Sequence, residues 1–434
     1  MSRISHFFLA ALAASSVLHA QQLVFADAKA TPGYRLVAPL NSQQAWLVDS
    51  SGETVHRWTS SYALSSVAYL LPNGNLLRTA ALEDRSIRTG GAGGRVEELA
   101  WDGTVVWSFQ LSDSNYVLHH DVQRLPNGNY LMLLWERKSR LQTIDAGGIA
   151  ERISPAGYLN ERIIEVRPTY PEGGDIVWQW NLWDHTVQNV DPNRQNYGDI
   201  AENWDRVDIN FTADPANNDP FHFNSVDYSP EFDQILISNR NFSEIWVIDH
   251  STTTEEASSS YGGRSAKGGR LLYRWGNPQA WAGGQPSDQQ ISGQHNAHWI
   301  PPGVPGAGNI LLFNNITPGF DSSSSVLELT LPVDSTGFYD VTDKSRPNAP
   351  VWSYLSPEPG AFYSSFISGA HRLPNGNTLI CSGAQANIFE VTPDGEIVWL
   401  YFAGEAAGRP INVFRSYWYP LNFEGLRNTP LYVE

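Results

Sequence analysis

"HHDVQRLPNGNYLML", from His119 to Leu133, reads as two apolar strands joined by a tight turn. Pro126 presets φ in that turn, and Asn127, Gly128 and Asn129 tolerate positive φ, which is hairpin chemistry. The same strand–turn–strand unit recurs as "SSVAYLLPNGNLL", "HFNSVDYSPEFDQILIS", "QHNAHWIPPGVPGAGNILLF" and "SGAHRLPNGNTLI". Between these units lies a second recurring piece, a short apolar strand that ends in tryptophan. It appears six times, closing on Trp58, Trp107, Trp178, Trp275, Trp352 and Trp399. A third piece completes the pattern, as in "RVEELAWDG", "EIWVIDHS" and "NIFEVTPDG": an alternating strand followed by a turn.

One repeat is therefore strand A, turn, strand B, strand C, turn, and strand D with its Trp. Four antiparallel strands written six times predict an all-β fold, a six-bladed β-propeller of four-stranded blades. The chain starts with "GYRLVAPL", "QQAWLVDSS" and "ETVHRW", which are B, C and D, and it ends with "NVFRSYWYPL", an A-like strand. The last blade is expected to be closed by both termini, which removes an open edge. The tryptophans are expected to pack between blades.

Composition narrows the class. "MSRISHFFLAALAASSVLHA" carries Arg3, an apolar run from Phe7 to Leu18 and a small residue at Ala20, the pattern of a secretory signal peptide over residues 1–20. The remainder, 21–434, is expected to be one exported (periplasmic or secreted) propeller domain with no membrane span. Two irregular insertions, 181–221 and 278–292, interrupt the repeat, and loops of that length usually cover a site. The lone cysteine, Cys381, leaves no internal disulfide. A formal charge of −17 disfavours nucleic-acid binding, so an anionic ligand would need a local cluster of cations.

Strand A is the innermost strand of a propeller blade. Aligned on the turn proline, His120 lies six before Pro126 and His295 six before Pro301, where other blades carry Ser66 and Ser368. His222 opens the A strand of the blade between them. Three histidines from successive blades thus converge at one channel mouth, and Arg240 falls at the B–C turn of the His222 blade. Period-two alternation places His298 and His371, three before their prolines, on the opposite face from His295, and His119 opposite His120.

These stretches, "HHDVQRLPNGN", "HFNSVDY" with "SNRNFSEIWVID", and "GQHNAHW" with "GNILLFNN", resemble the bacterial aryl sulfotransferases from roughly Trp107 to Trp399. That family consists of exported six-bladed propellers that move sulfuryl groups between phenols without a nucleotide sulfate donor. The resemblance implies an aryl sulfate donor and a phenolic acceptor, with no cofactor and no metal. It makes His295 the nucleophile that carries a sulfohistidine, with His222 and Arg240 beside it. The family's "HHD" histidine falls on His119 or His120, and alternation selects His120. Asn224 and His119 stand as substrate-binding groups. Better-known members also carry an N-terminal β domain used in dimerisation and a disulfide near the site; neither is expected here, and the sequence leaves the oligomeric state open. Two other readings use the same residues: a metal-dependent propeller lyase or oxygenase built on the three histidines, and a carbohydrate-binding propeller with "WNLWDHTVQNVDPNRQNYGD" as its platform.

Overall fold

The computed structural model describes residues 21–343, 347–358 and 360–433, so the expected signal peptide lies outside the described residues. Six antiparallel sheets are arranged as blades, and the first strand of each touches the first strand of the next all the way round. Blade 1 joins Val413–Tyr419 to Tyr34–Pro39, Gln44–Val48 and Thr54–Thr59. Blades 2 to 6 follow in chain order, their inner strands being Ala63–Leu70, Tyr116–Arg124, Phe223–Ser229, His295–Trp299 and Gly369–Arg372. Gln22–Ala26 adds a fifth, outermost strand to blade 6, a pairing the repeat did not foretell.

The tryptophans explain how neighbouring blades are joined. Trp107 Nε1 donates to Gly173 O at 3.0 Å, Trp178 Nε1 to Thr252 Oγ1 at 3.2 Å, and Trp275 Nε1 to Pro347 O at 2.9 Å. Trp352 Nε1 donates to Pro393 O at 2.7 Å, and Trp399 Nε1 to Ser50 O at 3.0 Å. Each acceptor lies between strands C and D of the following blade, so the indole ties one blade to the next. Trp58 instead meets Trp101, in the corresponding turn of blade 2, edge to face at 5.2 Å. The rings also fill the gaps between sheets, as where Trp107 stacks on Tyr130 with centroids 4.5 Å apart. Burial of one such side chain contributes about 3 kcal/mol.

The inner strands are not regular. Register shifts interrupt the pairing of the inner strand in blades 1 to 5. Non-glycine residues with left-handed φ sit near this level in blades 3 to 6: His120 (47°), His222 (61°), Asn296 (53°) and Ser368 (89°). Bulges of this kind re-aim side chains next to functional sites. In blade 5, His295 pairs with Phe313 and His298 with Leu311, so three steps on one strand span two on its partner. The alternation that set His295 and His298 on opposite faces therefore does not hold across this interval. His298 lies against the next blade, its ring 4.8 Å from that of His371, which in turn packs 4.4 Å from Tyr417 of blade 1.

Candidate active site

Three inner strands deliver the predicted histidines to one place. The rings of His120 and His222 meet edge to face at 4.6 Å, while Phe414 stands 6.0 Å from His120 and 5.9 Å from His295. His120 and His295 are each 2 % exposed. Arg240 follows Gln234–Asn239, and its amide donates to His222 O at 3.2 Å, which sets its position beside the histidines.

The amide of Asn315 fixes the protonation of His295. Asn315 Nδ2 donates to Ser364 O at 2.7 Å and to Ile367 O at 2.8 Å, so its Oδ1 must face His295. His295 Nδ1 lies 2.7 Å from that oxygen and 3.1 Å from Gly293 O, two acceptors. The proton therefore sits on Nδ1 and the lone pair on Nε2. Nε2 accepts the Ile367 amide at 3.2 Å. Burial holds the imidazole well below its usual range, and Arg240, His222 and Arg415 push the same way against the bond to Asn315. His295 is thus a neutral base whose lone pair sits on a defined nitrogen.

Burial likewise keeps His120 neutral, with repulsion from His222, His119, His295 and Arg415 added to it. His222 is oriented by Asp219, whose Oδ2 lies 2.5 Å from His222 Nδ1. Among the described residues the Arg240 guanidinium makes one hydrogen bond, NH1 to Asn241 Oδ1 at 2.9 Å, and burial lowers its basicity while Asp219 opposes that. Its remaining N–H groups leave a fork suited to an oxyanion.

Two predicted residues stand further back. Asn224 is fully buried and donates to Gln294 O at 2.7 Å, where it steadies the chain just before His295. Gln294 is itself locked into blade 4, donating to Ser238 Oγ, Asn239 O and Glu244 O. His119 stacks on Trp135 at 3.9 Å and lies behind His120, with the two Nδ1 atoms 2.9 Å apart.

Several functional neighbours escaped the sequence reading. Arg415 of blade 1 donates to Asp121 Oδ2 at 2.9 Å and to Asn224 O at 2.8 Å, bridging blade 1 to blades 3 and 4 beside the histidines. Asp121 belongs to the "HHD" triplet, Asn315 to "GNILLFNN" and Asp219 precedes His222 by three, so each was adjacent to a motif already in view. Among the described residues, no three or more His, Cys, Asp or Glu side chains are grouped so as to hold a metal ion. No described helix is long and apolar enough to cross a membrane. A cavity of about 820 Å³ lies at the first insertion, lined by Trp183, His185, Arg194, Arg206 and Arg270, apart from these histidines.

Among solved structures, the chain is similar to a protein of unknown function from Bacteroides caccae, at 11 % identity and TM-score 0.47 over 89 % of this chain and 98 % of that one. It is also similar to the periplasmic gluconolactonase PpgL of Pseudomonas aeruginosa, at 13 % identity and TM-score 0.42 over 88 % and 98 %. A catalytically inactive virginiamycin B lyase from Staphylococcus aureus follows at 8 % and 0.38 over 91 % and 92 %. No curated protein matches the chain. The model of the family Arylsulfotransferase (ASST) matches residues 19–401, nearly the whole propeller. The chain belongs to the arylsulfotransferase family and is a sulfotransferase.

Proposed function

We propose that this enzyme moves a sulfuryl group from an aryl sulfate ester to a phenolic acceptor in two steps, through a sulfohistidine on His295 and without a nucleotide sulfate. The observation that carries the reading is the fixed tautomer of His295, with Nδ1–H held by Asn315 and the lone pair on Nε2. In the first step Nε2 forms a bond to sulfur as the aryl oxygen–sulfur bond breaks. In the second, a phenol oxygen forms its bond to sulfur as the nitrogen–sulfur bond breaks. Splitting the transfer in this way is ordinary nucleophilic catalysis. The transition state is loose, with charge spread over the sulfuryl oxygens, so oriented donors matter most. Arg240 and His222 supply them. The Ile367 amide that caps Nε2 has to yield before sulfur can approach. Its residue has φ of 54°, a strained conformation for a β-branched side chain.

We further infer that the enzyme works after export, on the basic residue and apolar run at the start of the sequence. The test of the mechanism is the intact mass of the protein after brief exposure to an aryl sulfate. Wild type should gain the mass of one SO₃ group, while His295→Ala should gain none and lose transfer to background. An adduct that persists in His295→Ala would place the covalent step elsewhere.

A further inference from the structure

We propose that Glu161, His119 and His120 form a proton relay that protonates the departing phenolate and takes the proton back from the acceptor phenol. This inference rests on the reaction proposed above.

The relay is built into blade 3. Glu161 lies on Tyr158–Pro168, the third strand, and is fully buried. Its Oε1 accepts Trp135 Nε1 at 3.1 Å and the Phe223 amide at 2.8 Å. Its Oε2 stands 3.0 Å from His119 Nε2. The two groups are not aligned for a hydrogen bond, yet both atoms are buried and neither has another partner. A small rotation that lets one proton pass between them would satisfy both, and leaving either bare is costly. Trp135, whose N–H fixes the carboxyl, also lies parallel to His119, with 6° between the ring planes. His119 Nδ1 and His120 Nδ1 are 2.9 Å apart, and the His120 ring faces His222.

Proton counting couples the three groups. Burial holds both imidazoles well below their usual range, so each is neutral and carries one N–H. The contact between the two Nδ1 atoms holds one proton, which leaves two arrangements. If Glu161 is ionised, His119 carries its proton on Nε2, 3.0 Å from the carboxylate, His120 donates through Nδ1, and His120 Nε2 is a bare acceptor. If Glu161 is protonated, it donates to His119 Nε2, His119 donates through Nδ1, and His120 Nε2 carries a proton for the substrate. Burial and then the nearby Asp219 push the Glu161 carboxyl well above its usual range, which favours the second arrangement at rest.

The transfer then balances. As the aryl oxygen–sulfur bond breaks, phenolate oxygen takes the proton of His120 Nε2, and His120 Nδ1 takes that of His119 Nδ1. His119 Nε2 takes the proton of Glu161. Both imidazoles stay neutral throughout, and the negative charge ends on Glu161, where Trp135 and Phe223 already donate. When an acceptor phenol attacks, its proton returns by the same path. His120 is the catalytic acid and base, and Glu161 acts through it.

Glu161→Gln tests this, because the amide keeps the shape and an N–H toward His119 but cannot give up a proton in this way. The measurement is kcat/KM for aryl sulfates whose phenols range from acidic nitrophenols to unsubstituted phenol. The variant should lose less than about tenfold with the most acidic phenol and about 10²–10³-fold with the least acidic, the usual weight of general acid catalysis. Its logarithmic plot against phenol pKa should be steeper than that of wild type. If Glu161→Gln fails to fold, as its melting curve would show, His119→Gln interrupts the relay at its middle and takes its place in the comparison. Parallel plots, whether from equal losses on every donor or from no loss, would overturn the relay. Wild type that forms no histidine adduct with any of these donors would instead overturn the two-step reaction itself.

Discussion

A side chain on Gly91 would place its Cβ 2.2 Å from both Cε1 and Nε2 of His120, and Gly91 itself sits at φ of +83°. Both facts exclude other residues at that position, one by contact and one by backbone strain. Gly91 O also accepts the His120 amide at 2.9 Å, so the loop before Gly94–Leu99 of blade 2 sets the height and tilt of a histidine in blade 3. Gly91→Ala should push the ring out of line with the leaving oxygen. A displacement of that kind typically costs about 10²-fold in rate. The expected outcome is such a fall in kcat with an aryl sulfate, while the fold, read by circular dichroism, survives. Unchanged turnover would show that the contacts of His120 with His119, His222 and Phe414 hold it in place without Gly91.

The strands and turns were legible because their determinants are local: a Pro-Asn-Gly-Asn turn, a period of two, and a Trp that recurs. In three turns the structure adds a reason for the asparagines. Asn75 donates to Glu98, Asn129 to Glu165 and Asn377 to Glu390, each acceptor on strand C of the same blade. The bulges were not legible, because an extra residue leaves the hydrophobic pattern intact on either side. That is why alternation does not carry across from His295 to His298, although His298 does pack between blades, against His371. Partners of the site were hidden for a different reason, since Glu161 and Arg415 reach it from other strands of the fold, outside any recurring motif. The first insertion shows what an irregular element can deliver, as it carries Asp219 near its end, and this residue holds His222 Nδ1 at 2.5 Å. A carboxylate there can only accept from Nδ1, which leaves Nε2 to face the substrate. Asp219→Asn can present its NH₂ instead and reverse the tautomer. It should reduce kcat by roughly 10²-fold, about the loss of one oriented donor, without lowering the melting temperature appreciably. Full activity in that variant would mean that His222 does not depend on Asp219 for its orientation.

At the scale of the molecule, a ring of blades closed around buried histidines ties stability to pH. Burial holds His119, His120, His295 and His371 well below the usual imidazole range and brings His185 and His298 down to about 4. In the unfolded chain these groups titrate near 6.5, so between there and about 4 the unfolded state binds protons that the folded state refuses. Stability must therefore fall as pH falls through that window. His250 has the opposite sign. Burial works against its charge, but hydrogen bonds to Asp233 and Glu165 outweigh that and raise it to about 9. Its contribution is complete below about 6.5 and is lost as pH rises through 9. Each proton taken up on unfolding is worth about 1.4 kcal/mol per pH unit. Near pH 5 the six histidines together would take up about six protons on unfolding, a slope of about 8 kcal/mol per unit, which buried carboxyls held protonated in the fold, Glu161 and Asp227 among them, offset in part. Denaturant midpoints measured from pH 7 to 5 should show that decline, and a flat profile would mean that the histidines are charged or hydrated in the folded protein. Transfer should behave differently in the same range. His295 is already neutral, so kcat/KM should not fall with an apparent pKa near 6.5, and activity should persist until the ring itself gives way.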